Sequence, residues 1–152
     1  MSLALEVRSV PLGLVGFDGR ATPGRLFLRA VGERGRPETV GDRLNDSATS
    51  FLPLEIGARV ELVHLAWVAY AVCAGREPEV AGREEVGALR KAVELDLVSG
   101  ETLRGEFLYT LPRAQARVSD LLNRPGDRFL LLLTADETLF VQRTAIVRVR
   151  TD

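Results

Sequence analysis

Residues 117–149 read RVSDLLNRPGDRFLLLLTADETLFVQRTAIVRV, and residues 40–72, VGDRLNDSATSFLPLEIGARVELVHLAWVAYAV, are an earlier version of the same stretch. The two stretches align without a gap when Val40 is placed on Val118, and we call this alignment the repeat alignment. The other matched pairs include Asp42 and Asp120, Leu44 and Leu122, Asn45 and Asn123, Phe51 and Phe129, and Val68 and Ile146. Similarity at a fixed offset indicates a repeated structural unit. We therefore expect two units of the same topology.

The duplication extends upstream at a slightly larger offset. There Gly19 matches Gly100 and Gly24 matches Gly105. The first copy therefore has three extra residues between Arg29 and Gly41. We expect these residues to lie in a polar loop.

Composition indicates an ordinary globular chain with no excess of positive charge. Of the 152 residues, 46% are hydrophobic and 27% are charged, and the net charge is −1. Basic and acidic residues number 8 and 8 in residues 1–75, 4 and 6 in residues 76–100, and 8 and 7 in residues 101–152. Binding to a phosphate backbone usually needs a basic patch. We therefore do not expect nucleic-acid binding.

Cysteine and histidine content excludes two classes of site. The one cysteine, Cys73, cannot form an internal disulfide, and with the one histidine, His64, it cannot complete a zinc site. The N-terminus lacks the pattern of a signal peptide, and no apolar run reaches the roughly 20 residues of a membrane span. We expect a cytoplasmic protein without a cofactor, a catalytic centre or a membrane segment.

The first copy has the alternation of apolar and polar residues that is typical of strands. Alternation predicts strands at residues 3–7, 14–17 and 25–31, with Pro11 and Gly13 interrupting the first and Asp18-Gly19 forming a turn. Residues 60–72 exceed the usual length of a strand. We expect two strands there, separated by a turn near Leu65-Ala66.

Each copy reads as two strands, a short helix and three more strands. This order favours a small β-barrel of Sm-like or SH3-like type, because closure removes exposed strand edges. We expect a mainly β protein with two tandem barrels, each carrying one short helix. Residues 1–72 would form the first barrel, residues 73–90 a linker, and residues 91–152 the second barrel.

Three resemblances follow from particular motifs. The run Arg117 to Asn123, RVSDLLN, resembles the motif of an uncharacterised family of short bacterial domains, which implies a small-domain fold without an assigned activity. The ending LFVQRTAIVRV resembles the last two strands of Sm-like proteins, which implies RNA contacts near Arg143. A pattern formed by residues 25–29 and 45–50 resembles PilZ domains, which implies binding of a cyclic dinucleotide.

The candidate interaction residues are few. The duplication keeps one polar pair, Asp42 with Asn45 and its repeat mate Asp120 with Asn123. These residues either cap and end a short helix, with Asn45 able to take the left-handed conformation, or form a binding site. Aromatic anchors are common at interfaces, so Trp67 is a further candidate. The basic residues Arg117 and Arg143 complete the set.

Together these features favour a non-enzymatic module that binds a protein partner or another copy of itself. The alternatives are an Sm-like nucleic-acid-binding protein and a PilZ-like receptor for a cyclic dinucleotide.

Overall fold

The computed structural model describes residues 7–32, 35–112, 114 and 116–151. It confirms a mainly β fold, with 51% strand and 19% helix. The strands are β1 (Val7–Gly16), β2 (Ala21–Arg29), β3 (Phe51–Ile56), β4 (Arg59–His64), β5 (Val68–Ala74), β6 (Leu89–Leu97), β7 (Thr102–Tyr109), β8 (Phe129–Leu133), β9 (Glu137–Gln142) and β10 (Ile146–Thr151). The helices are α1 (Val40–Asn45), α2 (Pro78–Glu85) and α3 (Val118–Asn123).

Most of the predicted strand positions agree with the structure. The turn near Leu65-Ala66 is a short 3-10 turn at Leu65–Trp67, and a matching 3-10 turn lies at Arg143–Ala145. The prediction that Pro11 and Gly13 interrupt the first strand is wrong, because β1 pairs with β2 through both residues. Residues 3–6 of the predicted first strand lie outside the described residues.

All ten strands of the described residues belong to one antiparallel sheet. Its order is β10-β6-β7-β8-β9-β5-β1-β2-β3-β4. Within the first half the order is β5-β1-β2-β3-β4, and within the second half it is β10-β6-β7-β8-β9. The two halves therefore have the same pairing pattern and meet where β9 pairs with β5. We call this meeting place the inner junction.

The expectation of two closed barrels is not confirmed, because the sheet is open. A closed second half would need its own β9 and β10 to pair, but β9 instead pairs with β5 over Tyr70–Ala74 and Glu137–Val141. The 3-10 turn after β9 directs β10 away from it. The two outer strands of the sheet are consequently β4 at one end and β10 at the other.

Two clusters of buried side chains stabilise the sheet, and both draw on the two halves. The first consists mainly of residues from the first half but includes Leu108, Phe129, Leu131, Leu133 and Phe140 from the second. The second cluster likewise includes Val15, Ala69 and Tyr70 from the first half. Burial of apolar surface is the main stabilising term in folding, so the inner junction carries part of each core.

The segment 73–90, which we expected to be a linker, holds the end of β5, the helix α2 and the first residues of β6. Helix α2 begins with Pro78 in its first turn, where proline fits without losing a hydrogen bond. Its Val80 is buried in the first core cluster. Arg83 donates from Nη1 to the Leu108 carbonyl at 3.0 Å, which ties α2 to β7.

Candidate interaction surfaces

The inner junction is held by polar side chains as well as by strand pairing. Asn45, at the end of α1, brackets the backbone of Phe129 at the start of β8. Its Oδ1 accepts from the Phe129 N–H at 2.8 Å, and its Nδ2 donates to the Phe129 carbonyl at 3.2 Å. These bonds join residues from different halves of the chain.

Two further side chains of the second half hold backbone groups of the first. The Arg128 guanidinium donates to the carbonyls of Leu44, Asp46 and Thr49. The buried Gln142 donates from Nε2 to the carbonyls of Leu65 and Val68, at 3.0 and 2.7 Å. Buried polar groups need partners, and here each half satisfies the other.

The repeat mate of Asn45 has a different environment. Asn123 is exposed, and its Nδ2 donates to the Ser119 carbonyl of its own helix at 2.8 Å. The expected left-handed conformation of Asn45 is wrong, since the described residues include no residue with positive φ other than glycine. One repeated residue type therefore serves two different structural purposes.

The two aspartates of the repeated motif cap their helices. Asp42 accepts from the Thr39 N–H at 3.0 Å, while Thr39 Oγ1 accepts from the Asp42 N–H at 3.0 Å. Arg36 adds two hydrogen bonds to Asp42, of 2.9 and 3.0 Å. Burial alone would raise the pKa of Asp42, but the bonds from Arg36 and Thr39 hold it below its ordinary value. This is the capping role expected for the pair.

Asp120 repeats this cap in α3. Its carboxylate accepts from both the backbone N–H and the Nε of Arg117, each at 3.2 Å. The hydrogen bond from the exposed Arg117 side chain lowers the pKa of Asp120. Arg117 is thus the N-cap residue of α3. The predicted interaction residues Arg117 and Asp120 contact each other.

Arg143 is held by the protein itself. It donates from Nε to the Asp127 carbonyl at 2.7 Å and from Nη1 to the Leu121 and Leu122 carbonyls at 2.8 and 3.0 Å. Burial lowers its pKa from the ordinary value. These bonds use the Nε and Nη1 donors of Arg143 within the fold.

The segments of the PilZ-like pattern also have local partners. Arg25, on β2, donates from Nε and Nη2 to Ser9 Oγ on β1 at 3.3 and 3.0 Å. Asn45 contacts Phe129, and Asp46 accepts from the Ala48 N–H at 3.0 Å. The described contacts of this pattern are therefore contacts within the fold.

The outer strand β4 presents an apolar surface. Phe51 on β3 is 53% exposed, Val60 and Leu62 on β4 are 62% and 66% exposed, and Trp67 in the following 3-10 turn is 67% exposed. The Phe51 ring stacks on His64 with centroids 4.5 Å apart, and Trp67 meets Phe17 edge to face at 6.3 Å. We call Phe51, Val60, Leu62 and Trp67 the β4 surface.

The opposite end of the sheet carries a groove. It has a volume of about 830 Å³ and lies between α3, β6 and β10. Its apolar walls include Val118 and Leu122 of α3 and Val149 of β10, and Ser119 lies among them. Val147, also on β10, is 65% exposed. We call this site the α3 groove.

Sequence reasoning identified Trp67 on the β4 surface and Arg117 on the wall of the α3 groove, but it missed the other residues of both sites. Both faces of β4 carry apolar residues, Val60 and Leu62 on one face and Val63 on the other. This pattern in the sequence indicated that neither face of β4 is covered by water alone. Of the predicted interaction residues, Asn45 lies in the inner junction and Trp67 on the β4 surface. Asn123 lies on the helix that forms the α3 groove.

A carboxylate lies beneath α1. Glu79 of α2 accepts from the Gly41 N–H at 3.0 Å through Oε1. Burial raises the pKa of Glu79 to about 6, and the bond from Gly41 opposes this only in part. On the neighbouring β5, burial raises the pKa of the Cys73 thiol to about 12.

The part of the chain that the structure describes has no metal-binding cluster and no membrane-spanning helix. No group of three or more His, Cys, Asp or Glu in the described ranges could hold a metal ion. Helix α2, the longest helix among the described residues, has eight residues, so none of them can cross a bilayer. Comparison of the chain with protein-family models, with curated proteins and with solved structures finds no match.

Proposed function

We propose that the chain is a non-enzymatic binding module that docks a protein partner on the β4 surface. The observation that carries this proposal is the exposure of Phe51, Val60 and Leu62 on one face of the outer strand pair β3–β4, with Trp67 exposed three residues after β4. Exposed apolar surface that is contiguous marks interaction sites in soluble proteins. Aromatic residues such as Phe51 and Trp67 are enriched in the centres of such sites.

An outer strand adds directional recognition to this apolar contact. An unpaired strand edge offers backbone N–H and C=O groups to an incoming strand, which is a common mode of protein recognition. Glu61 and Arg59 lie on the same strand and would select a partner by charge. The β4 surface therefore has the two components of a specific interface, a hydrophobic centre and a polar frame.

We further propose that the two halves are repeats of an Sm-like unit. The supporting observations are the gapless repeat alignment and the identical pairing order of the two halves. The Sm-like unit does not by itself favour nucleic acid here. Arg143 is held by three backbone carbonyls, and Arg150 is paired with Glu94 and Asp96.

The test compares three baits in extracts of the native host. Wild type and Val86→Glu should retain the same partner, while Leu62→Glu should lose it. Val86 is a matched control, because it is 70% exposed and lies outside the β4 surface. Addition of the purified partner should then shift the emission of Trp67 to shorter wavelength, and Trp67 is the one tryptophan of the chain.

Retention of the same partners by the Leu62→Glu bait would overturn the proposal. So would a purified partner that binds without any change in Trp67 emission or in its quenching by acrylamide.

A further inference from the structure

We propose that the partner of the β4 surface is a second copy of this chain, which binds head to tail. The outer edge of β4 in one molecule would pair with the outer edge of β10 in the next, and Leu62 would enter the α3 groove. This inference rests on the proposed function, because it names the occupant of the same surface.

The inner junction is the template for this contact. There β9 pairs with β5, and in the repeat alignment β9 corresponds to β4 while β5 corresponds to β10. The edges of β9 and β5 are thus paired inside the molecule. The equivalent edges of β4 and β10 lie at the two ends of the sheet. Transfer of the inner register places Leu62 opposite Val149, because their counterparts Phe140 and Ala71 are paired.

The two ends also match in shape, with Leu62 of β4 as the knob that fits the α3 groove. At the inner junction its counterpart is Phe140. At the inner junction Phe140 is fully buried with Val40, Leu44 and Ala71 in one core cluster. A methyl group added at Gly41 would collide with the Glu79 carboxylate and would lie 3.2 Å from Cε1 of Phe140, so glycine leaves room for the carboxylate first and for the ring as well.

The corresponding groove is the one beside α3. Its residues Val118, Ser119, Leu122 and Val149 are the counterparts of Val40, Gly41, Leu44 and Ala71. The wall residue is larger at Ser119 than at Gly41, and the knob Leu62 is smaller than Phe140. The volumes change in compensating directions, as close packing requires.

Burial differs at these positions in the direction that the proposal requires. On the β4 side Phe51, Val60 and Leu62 are 53%, 62% and 66% exposed, whereas their counterparts Phe129, Thr138 and Phe140 are 1%, 0% and 0% exposed. On the β10 side Val147 is 65% exposed and its counterpart Ala69 is 1% exposed. A second copy would cover both sets at once.

A polar contact is available at the same place. Asn45 brackets the backbone of Phe129 at the inner junction, and the counterparts of these residues are Asn123 and Phe51. Asn123 lies exposed at the end of α3, and Phe51 lies exposed at the start of β3. In the assembly Asn123 would exchange its local bond for the two bonds to Phe51.

Charge is compatible with the same register. The transferred register places Glu61 of one molecule opposite Arg150 of the next, where Glu61 would join Glu94 and Asp96, which already bind that guanidinium. Opposite charges across paired strands are stabilising.

The outer contact lacks two features of the inner junction. Gln142, which donates to the Leu65 and Val68 carbonyls at the inner junction, has as its counterpart His64, which stacks on Phe51. Arg128, which donates to three carbonyls at the inner junction, has Ser50 as its counterpart. Serine cannot replace these bonds, so we expect the outer contact to be weaker than the inner one and to depend on concentration.

The contact joins two different surfaces, so it is heterologous. Such a contact forms a closed ring where the rotation between copies allows closure, and a filament where it does not. Both products place one β4 surface in each α3 groove.

The experiment uses the purified full chain and two variants that each block one end. Leu62→Glu puts a charge on the knob, and Ser119→Arg fills the groove at an exposed position of α3. Each side chain is exposed, so both variants should fold, which circular dichroism and thermal unfolding will verify. Val86→Glu is the matched control. Mass is measured by light scattering with size-exclusion chromatography over a wide range of concentration.

Wild type and Val86→Glu should form larger species as concentration rises, with a shift of Trp67 emission to shorter wavelength. Each blocked variant alone should remain a monomer. A mixture of the two should form a dimer and nothing larger, because one intact β4 surface meets one intact α3 groove.

Three results would overturn the inference. Wild type could be monomeric throughout, the Ser119→Arg variant could assemble like wild type, or the mixture of the two blocked variants could contain monomers only. If wild type is monomeric but a bait still retains a foreign partner through Leu62, the proposed function stands and only the identity of the partner is wrong. If the bait also retains nothing, both proposals fail.

Discussion

Replacement of Asn45 by alanine should destabilise the protein far more than the same change at its repeat mate Asn123. Asn45 donates one hydrogen bond to the backbone of Phe129 and accepts another from it, and Phe129 is only 1% exposed. Each such bond contributes about 0.5–1.5 kcal/mol, and a buried group left without a partner costs about 1–3 kcal/mol. We therefore expect Asn45→Ala to lose about 2–3 kcal/mol. Asn123 is exposed and makes one bond within its helix, so Asn123→Ala should lose about 0.5 kcal/mol.

The assay is equilibrium unfolding in urea, with both changes made in the Leu62→Glu background so that assembly does not contribute. With an m-value of about 2 kcal/mol/M, Asn45→Ala should lower the midpoint by about 1 M or more. Asn123→Ala should lower it by about 0.25 M. If Asn45→Ala and Asn123→Ala lower the free energy of unfolding equally, the reasoning is refuted. The two bonds from Asn45 to the Phe129 backbone would then contribute no more than a bond at the end of a helix.

Three further predictions concern single side chains. Burial raises the pKa of Glu79 to about 6 from an ordinary 4.5, so its charged form opposes folding above pH 6, and this penalty disappears as pH falls through 6 towards 4.5. Glu79→Gln, which keeps the acceptor for the Gly41 N–H, should therefore stabilise the protein by about 2 kcal/mol at pH 7.5 and by little at pH 4.5, as urea unfolding across pH will check. The Cys73 thiol is buried, and its pKa is raised to about 12. Because the thiolate is the reactive form, Cys73 should react with a disulfide reagent at least about a hundred-fold more slowly in native than in unfolded protein. Comparable rates in the two states would contradict this prediction. The protein should bind single-stranded RNA weakly at low salt, and Arg148→Ala should not change the affinity for RNA. A submicromolar affinity that is lost in both Arg143→Ala and Arg148→Ala would favour the nucleic-acid alternative.

The strands and turns were predictable from the sequence because they depend on local chemistry. Asp18-Gly19 indicated a hairpin turn, and Gly19 and its repeat mate Gly100 do adopt positive φ values of 82° and 93°. The apolar run at residues 129–133 corresponds to β8, which is buried along its whole length. The capping role of Asp42 was likewise expected from residue type and position.

The pairing of β9 with β5 was not predictable, because the same apolar strand suits either a closed barrel or a shared sheet. Residues 68–73 of β5 have apolar side chains on both faces, and this pattern shows that a strand is buried without showing which strand covers it. The candidate site depends on that pairing. Asn45 and Asn123 are the same residue in the same motif, and they differ only because Phe129 lies beside one of them.

The pairing of β5 with β9 also determines when the protein can complete its fold during synthesis. Tyr70 must wait for its partner Val141, which the ribosome adds much later. Translation at about 5–20 residues per second takes roughly 4–14 seconds over that distance. Throughout that interval the first half has two exposed apolar edges, β4 and β5, whereas in the finished molecule β9 covers β5 and only the β4 edge of this half stays exposed. Contacts between residues so far apart in sequence also slow folding. The nascent first half is therefore the stage at which this protein is most exposed to aggregation, and at which a chaperone would have the most surface to bind.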